Sequence, residues 1–150
     1  MNDLEIKNAS IIDGLGNESY EGNLYIKNGK IVAITHKEKL EAKESINANG
    51  KIVTPGFIDS HTHPVFIGER SEEFVMRLNG LSYNQIAKEG GGILSSVRSV
   101  RSSSYDDLYD AVYKNILPFI YNGTTTLEAK SGYGLTLSDE IKSLEVLRSI

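Results

Sequence analysis

His61 and His63 stand one residue apart in "PGFIDSHTHPVF", residues 55 to 66, at the end of an apolar run. Imidazole nitrogens ligate divalent metal ions, and on a β-strand residues i and i+2 project to the same side. A His-x-His at a strand end therefore offers two nitrogens to one ion. An extended strand separates the two positions by about 6.6 Å, a gap that a strand end can narrow until both rings reach zinc at about 2.0 to 2.1 Å. By parity Phe57 and Asp59 share the face of the pair, and Thr62 points the other way. A catalytic zinc takes three protein ligands and a water. The one further histidine, His36 in "IVAITHKEKL", reads as a solvated strand-end residue. With no cysteine in the chain, a disulfide framework, a thiolate metal site and a thiol nucleophile are all excluded. Any metal must take His, Asp or Glu, and the ligand set within these 150 residues is incomplete.

The pair needs a strand and a scaffold. Residues 1 to 54 alternate as short strands do, at Leu4 to Ile6, Leu24 to Ile26 and Ile31 to Ala33, with Asn28-Gly29 placed as a two-residue hairpin turn. A second Asn-Gly at 49 and 50 precedes one more strand, and Pro55-Gly56 marks a boundary. This divides the chain into a small β unit, residues 1 to 54, and a second unit, residues 55 to 150. In the second unit "FIDSHTH" predicts a strand. Ser82-x-x-Gln85 is a capping box opening a helix that Gly90-Gly91-Gly92 ends. Ser104, with Asp107 three residues on, starts a longer helix whose stripe is Leu108, Val112, Ile116 and Ile120, stopped by Asn122-Gly123. Pro118 inside that stripe predicts a kink or an early end. "TTTLEAK", residues 124 to 130, is β-branched at its start and predicts a strand, running into a loop, "SGYGL". From Ser138 a last helix repeats Ile141, Leu144, Leu147 and Ile150. The polar tract "SVRSVRSSS", residues 96 to 104, fits a surface connection or a helix equally.

Strand, helices, strand, helix is the order of consecutive βα units in a parallel sheet. A (β/α)8 barrel takes roughly 250 residues, and residues 56 to 150 are too few for one. The barrel reading expects a truncated chain, the N-terminal portion of a longer protein. A net charge of -4 with scattered Lys and Arg gives no basic stripe for nucleic acid. The N-terminus has no basic region followed by an apolar stretch, and no run approaches a spanning helix. These features predict a cytoplasmic protein with neither nucleic acid nor membrane as a partner.

"TPGFIDSHTHPVFIGER" resembles the first barrel strand of the amidohydrolase superfamily, metal-dependent hydrolases that join a (β/α)8 barrel to a small β-sandwich domain. Within it, "RLNGLSYNQIAKEGGGI" at 77 to 93 and "TTTLEAKSGYGL" at 124 to 135 resemble the imidazolonepropionase family, from about residue 20 onward. The resemblance implies a fold in which residues 1 to 54 are part of the sandwich and residues 55 to 150 the first two βα units of the barrel. It implies hydrolysis of a small-molecule substrate, 4-imidazolone-5-propanoate, to N-formimidoyl-L-glutamate, using one divalent ion, zinc or iron. His61 and His63 would be two metal ligands, completed in the family by a later histidine and aspartate. No other catalytic group is expected within the chain, and a homodimer is left open.

Three substrate contacts follow from the same resemblance. Arg70 matches the family's substrate-binding arginine, whose planar fork suits a carboxylate; otherwise it is a surface arginine beside Glu69 and Glu72. Tyr133, between two glycines, matches a second contact, its ring against the imidazolone and its hydroxyl donating. Tyr83 is a third, or else a packing residue just after the Ser82 cap. Glu128 and Lys130 share a strand face and read as a structural ion pair, since the metal-bridging lysine of some relatives belongs to a later strand. The triple glycine lacks the Gly-Lys-Ser/Thr ending of a phosphate loop, leaving its N–H groups as candidate donors to the propionate. Another amidohydrolase, such as a cytosine deaminase or hydantoinase-like enzyme, would keep both histidines without explaining Arg70 and Tyr133 together. A non-catalytic interaction module would leave two sheet edges exposed.

Overall fold

Asn28 and Gly29 both take positive φ, 51° and 71°, the conformation of a tight turn whose twist matches two flanking strands. They join β2 (Tyr20–Lys27) to β3 (Lys30–Thr35), and the pair closes at Lys27 opposite Lys30. β2 also pairs antiparallel with β1 (Asn2–Ile11), which bulges between Ile6 and Ala9 where Asn8 turns to a φ of 55°. The side-chain oxygen of Asn23 accepts from the Asn8 N–H there. On its other edge β1 pairs in parallel, first with β4 (Ala42–Asn47) and then, past the Asn49-Gly50 turn, with β5 (Ile52–Val53). β4 has no counterpart in the sequence reading, because five of its six residues are exposed and leave no apolar alternation.

The computed structural model describes residues 1 to 150, which fall into two units, Met1–Pro55 and Gly56–Ile150. In the first, Ala9, Ile11, Leu24 and Ala48 form the core. Tyr25 is fully buried, with its hydroxyl donating to Glu5 Oε1 at 2.8 Å and accepting from the Leu40 N–H at 3.1 Å. His36 follows β3, exposed, with Nδ1 donating to the Glu21 carbonyl at 3.0 Å.

In the second unit β6 (Phe57–Thr62) and β7 (Thr124–Ala129) pair in parallel. Between them run α1 (Ser71–Leu78), α2 (Tyr83–Lys88), α3 (Ile93–Ser102) and α4 (Tyr105–Tyr121), and α5 (Leu137–Ser149) follows β7. Val65, Val100, Leu108, Val112 and Val146 form the core, with Tyr133 and Leu147 packed against it. Ser82 and Gln85 make both halves of the capping box of α2, and Ser104 caps α4 by accepting from the Asp107 N–H.

The helices correct the sequence reading at three places and decide a fourth that it left open. α4 does not end at Pro118 but runs on to Tyr121, and the turn beyond the proline is closed by the Asn122 N–H donating to the Pro118 and Phe119 carbonyls. The tract at 96 to 104 is mostly helix: α3 buries Val97 and Val100 against the core. α1 has no side-chain cap and buries no residue, so it carried neither an N-terminal signal nor a core stripe. α5 begins after a Thr136 cap and buries Ser143 and Val146, while Ile141 and Leu144 stay about half exposed. The periodicity there was genuine, but of the stripe it marked only Leu147 packs against the core, at the margin of the face that Ser143 and Val146 turn inward.

Tyr25→Phe tests how the β unit is held. It leaves the Leu40 N–H and the Glu5 carboxylate short of a partner and should cost about 1 kcal/mol or more in urea unfolding. Hydrogen bonds from Ser45 and Tyr25 hold the Glu5 carboxyl below its ordinary value. Its contribution is therefore present above the unfolded-state pKa and lost as pH falls through the folded one. In Tyr25→Phe that acid-side loss should shrink; an unaltered stability and pH profile would show that the hydroxyl contributes nothing.

Candidate metal and substrate site

Thr62 is the hinge of the site's geometry. It is buried, its hydroxyl donates to the Glu128 carbonyl at 2.9 Å, and its own carbonyl accepts from the Lys130 N–H at 2.8 Å. With Thr62 pinned on one side, its neighbours His61 and His63 emerge together on the other, as strand parity requires. Their ring centroids lie 5.2 Å apart. The strand itself stops at Thr62, so His63 stands one residue beyond it. The backbone at 131 to 133, reached from β7, comes up against the His63 ring.

That contact selects the tautomer. His63 Nδ1 lies 3.0 Å from the Ser131 carbonyl, which can only accept, so Nδ1 carries the hydrogen, and in the neutral ring the lone pair is at Nε2. A hydrogen bond from the far nitrogen to a carbonyl is the usual partner of a metal-bound histidine. The two histidines thus fit a divalent ion as a pair of donors. No group of three or more His, Cys, Asp or Glu side chains comes together to hold an ion.

Gly132 sits at φ 146°, and a Cβ there would lie 3.1 Å from His63 Nδ1; only glycine lets the chain pass so close. The next residue, Tyr133, places its ring 5.9 Å from His63. Arg70, at the cap of α1, and Tyr133 line one cavity of about 390 Å³ together with Phe66, Ser95 and Ser99. Tyr83, half exposed, lines a second cavity of about 330 Å³ with Arg70, Glu73, Phe74 and Arg77. Arg70 is the residue the two share. The structure therefore joins His61, His63 and Tyr133 in sequence and joins Arg70 to each tyrosine, while neither histidine lines either cavity.

Arg70 is exposed at the surface, but the acid it pairs with is neither Glu69 nor Glu72: its terminal nitrogen is 2.5 Å from Glu73 Oε2, one helical turn on. The triple glycine has no N–H to spare. Gly90 donates to the Ala87 carbonyl, Gly91 to the Ile86 carbonyl and Gly92 to Glu73 Oε1. Lys130 and Glu128 pair at 2.5 Å, both partly exposed, and that hydrogen bond holds the Glu128 carboxyl below its ordinary value.

Glu140 was missed by sequence reasoning. From the first turn of α5 its Oε1 accepts from the Gly134 and Leu135 N–H groups at 2.9 and 2.7 Å, clasping the loop that carries Tyr133. Burial pushes its carboxyl up, but the Ser131 hydroxyl and these backbone groups outweigh that and hold it low. The acid in a helix's first turn is too common a pattern to reveal this. Asn115 was likewise unmarked; from α4 it donates to the Pro64 and Phe66 carbonyls and ties down the segment after His63.

In fold the chain aligns with D-aminoacylase, described as defining a subset of amidohydrolases, at TM-score 0.50 and 19% identity over 87% of this chain and 19% of that one. It also aligns with a prolidase complexed with N-methylphosphonate-L-proline, at TM-score 0.53 and 16% identity over 83% of this chain and 24% of that one. What the chain shares with parts of these two proteins is a mixed α/β fold. In sequence the chain is 42% identical to imidazolonepropionase of Symbiobacterium thermophilum over 97% of its length, and 48% identical to that of Vibrio vulnificus over 83%. The chain belongs to the imidazolonepropionase family, and it spans about a third of the length of the curated relatives it matches, 34% and 31% for these two. No family model matches it, and no helix is long and apolar enough to cross a membrane.

Glu140→Ala removes both acceptor contacts of the loop while leaving the core intact. Amide hydrogen exchange at Gly134 and Leu135 should accelerate roughly tenfold or more, given about 1 to 3 kcal/mol for stranded donors. Exchange at wild-type rates would mean that the loop is held by other contacts.

Proposed function

We propose that the protein to which this chain belongs hydrolyses 4-imidazolone-5-propanoate to N-formimidoyl-L-glutamate, with these residues supplying part of its metal site and its substrate contacts. In this reading residues 1 to 54 are part of the small β-sandwich domain, and residues 55 to 150 are the first two βα units of the (β/α)8 barrel. The observation that carries it is the convergence of Arg70 and Tyr133 on one cavity, with the Tyr133 ring also against His63. A hydantoinase-like or cytosine-directed relative has use for the histidines but none for an arginine at that place.

His61 and His63 would hold one divalent ion, zinc or iron. Such an ion supplies Lewis acidity and lowers the pKa of water to about 7. The chain's own residues do the rest of the work assigned here. The Ser131 carbonyl keeps the proton on His63 Nδ1, so that the ring stays a donor of electrons at Nε2. Arg70 takes the propanoate with charge-assisted hydrogen bonds, which sets the distance from the carboxylate to the histidine pair. The Tyr133 ring covers the imidazolone, and its hydroxyl donates to it. Tyr83 closes the far side of Arg70. The protein is cytoplasmic, and its partner is this small molecule.

In the full-length protein, Arg70→Ala should lower kcat/KM for 4-imidazolone-5-propanoate about a hundredfold, as loss of a charge-assisted contact predicts. His61→Ala and His63→Ala should each reduce the bound metal per chain as well as the rate. Turnover of hydantoin or cytosine, with none of the imidazolone substrate, would refute the assignment.

A further inference from the structure

We infer that Glu73 is a positioning residue for Arg70, and that the triple glycine exists to seat it. This rests on the reading of Arg70 as the carboxylate contact. The Glu73 carboxylate is bound at both oxygens: Oε2 takes the Arg70 terminal nitrogen at 2.5 Å, and Oε1 takes the Gly92 N–H at 2.9 Å, nineteen residues away. Its side chain is 15% exposed where that of Arg70 is 48% exposed. The acid is the anchored member of the pair and the arginine the open one.

Gly91 explains why three glycines are needed. A Cβ at Gly91 would lie 2.7 Å from Ile86 Cγ2 and 3.1 Å from both Cδ and Oε1 of Glu73. A side chain there collides with Ile86 and crowds the carboxylate on its seat. Gly90 and Gly92 take φ of 89° and 76°, a backbone that other residues rarely adopt. The turn "GGG" is thus a cradle for an acid on α1.

A half-exposed arginine samples many rotamers, and binding must freeze them. The bond to Glu73 uses one end of the guanidinium, and its other donors have no protein partner. Each member reinforces the other's charge: the Arg70 hydrogen bond holds the Glu73 carboxyl low, and the Glu73 hydrogen bond holds the Arg70 guanidinium high. What Glu73 contributes is a fixed place for the cation rather than a contact with substrate.

The test uses the full-length protein and two probes, 3-(imidazol-4-yl)propanoate and 4-propylimidazole, which differ in the carboxylate, with affinities measured by competition. Glu73→Gln and Gly91→Ala should each weaken the propanoate about tenfold and leave 4-propylimidazole unchanged. In an Arg70→Ala background, Glu73→Gln should add nothing, because the residue acts through the arginine. Equal loss of both probes, or wild-type affinity of Glu73→Gln for the propanoate, would overturn the inference while leaving Arg70's role in place. A wild-type protein that showed no preference for the propanoate would remove the reading of Arg70 itself, and the inference with it.

Discussion

The two hydrogen bonds that Thr62 makes across to β7 set the geometry of the whole candidate site. They are made by one small buried residue, through its hydroxyl to Glu128 and its carbonyl to Lys130. Once that residue faces inward, the alternation of a strand leaves its two neighbours no choice but to face outward together. The same bonds bring the end of β7 level with the end of β6. A backbone segment 68 residues away in sequence therefore arrives beside His63 and can accept a hydrogen bond from its ring. The chemistry of the pair is decided by the partner strand as much as by the histidines.

Around this centre, polar side chains that touch no candidate ligand hold those that do. Glu140 clasps the loop of Tyr133 from the start of α5, Glu73 grips Arg70 from α1, and Asn115 ties the segment after His63 to α4. Each lies on a helix and reaches a loop. A helix is held by its own backbone bonds and core packing, so it is a stiffer base than the loop it supports. In this unit Arg70, His63 and Tyr133 lie outside the regular elements, and helices carry their restraints.

Packing obeys a different logic from patterning. α4 buries the first half of its stripe, Leu108 and Val112, while Ile120 at its end stays largely exposed. α5 turns Val146 and the small polar Ser143 to the core, where the Ser143 hydroxyl is satisfied by the Asp139 carbonyl within the helix. Apolar residues repeating at helical spacing show that a helix forms. Which side is covered depends on what lies next to it, and a serine can fill a buried position when its hydroxyl bonds to its own helix.

The sequence by itself determined the local elements and the cast of the site. The Asn28-Gly29 turn, the Ser82 and Ser104 caps and the two strands of the second unit are written in residues a few positions apart, because capping and turn conformation are local forces. The histidine pair could be picked out by strand parity alone, whereas Arg70, Tyr133 and Tyr83 stood out only through the likeness of their surrounding strings to a family. Only the tertiary structure decided that Arg70 and Tyr133 share a cavity, that Glu73 rather than Glu69 or Glu72 holds the arginine, and that the triple glycine gives its N–H groups to the protein. It also decided the course of α4 past Pro118 and the buried face of α5. The shared cavity and the buried face of α5 depend on contacts between residues tens of positions apart, while the Arg70–Glu73 pair is local and is selected among neighbouring acids by the hold of Gly92 on Glu73, nineteen residues away.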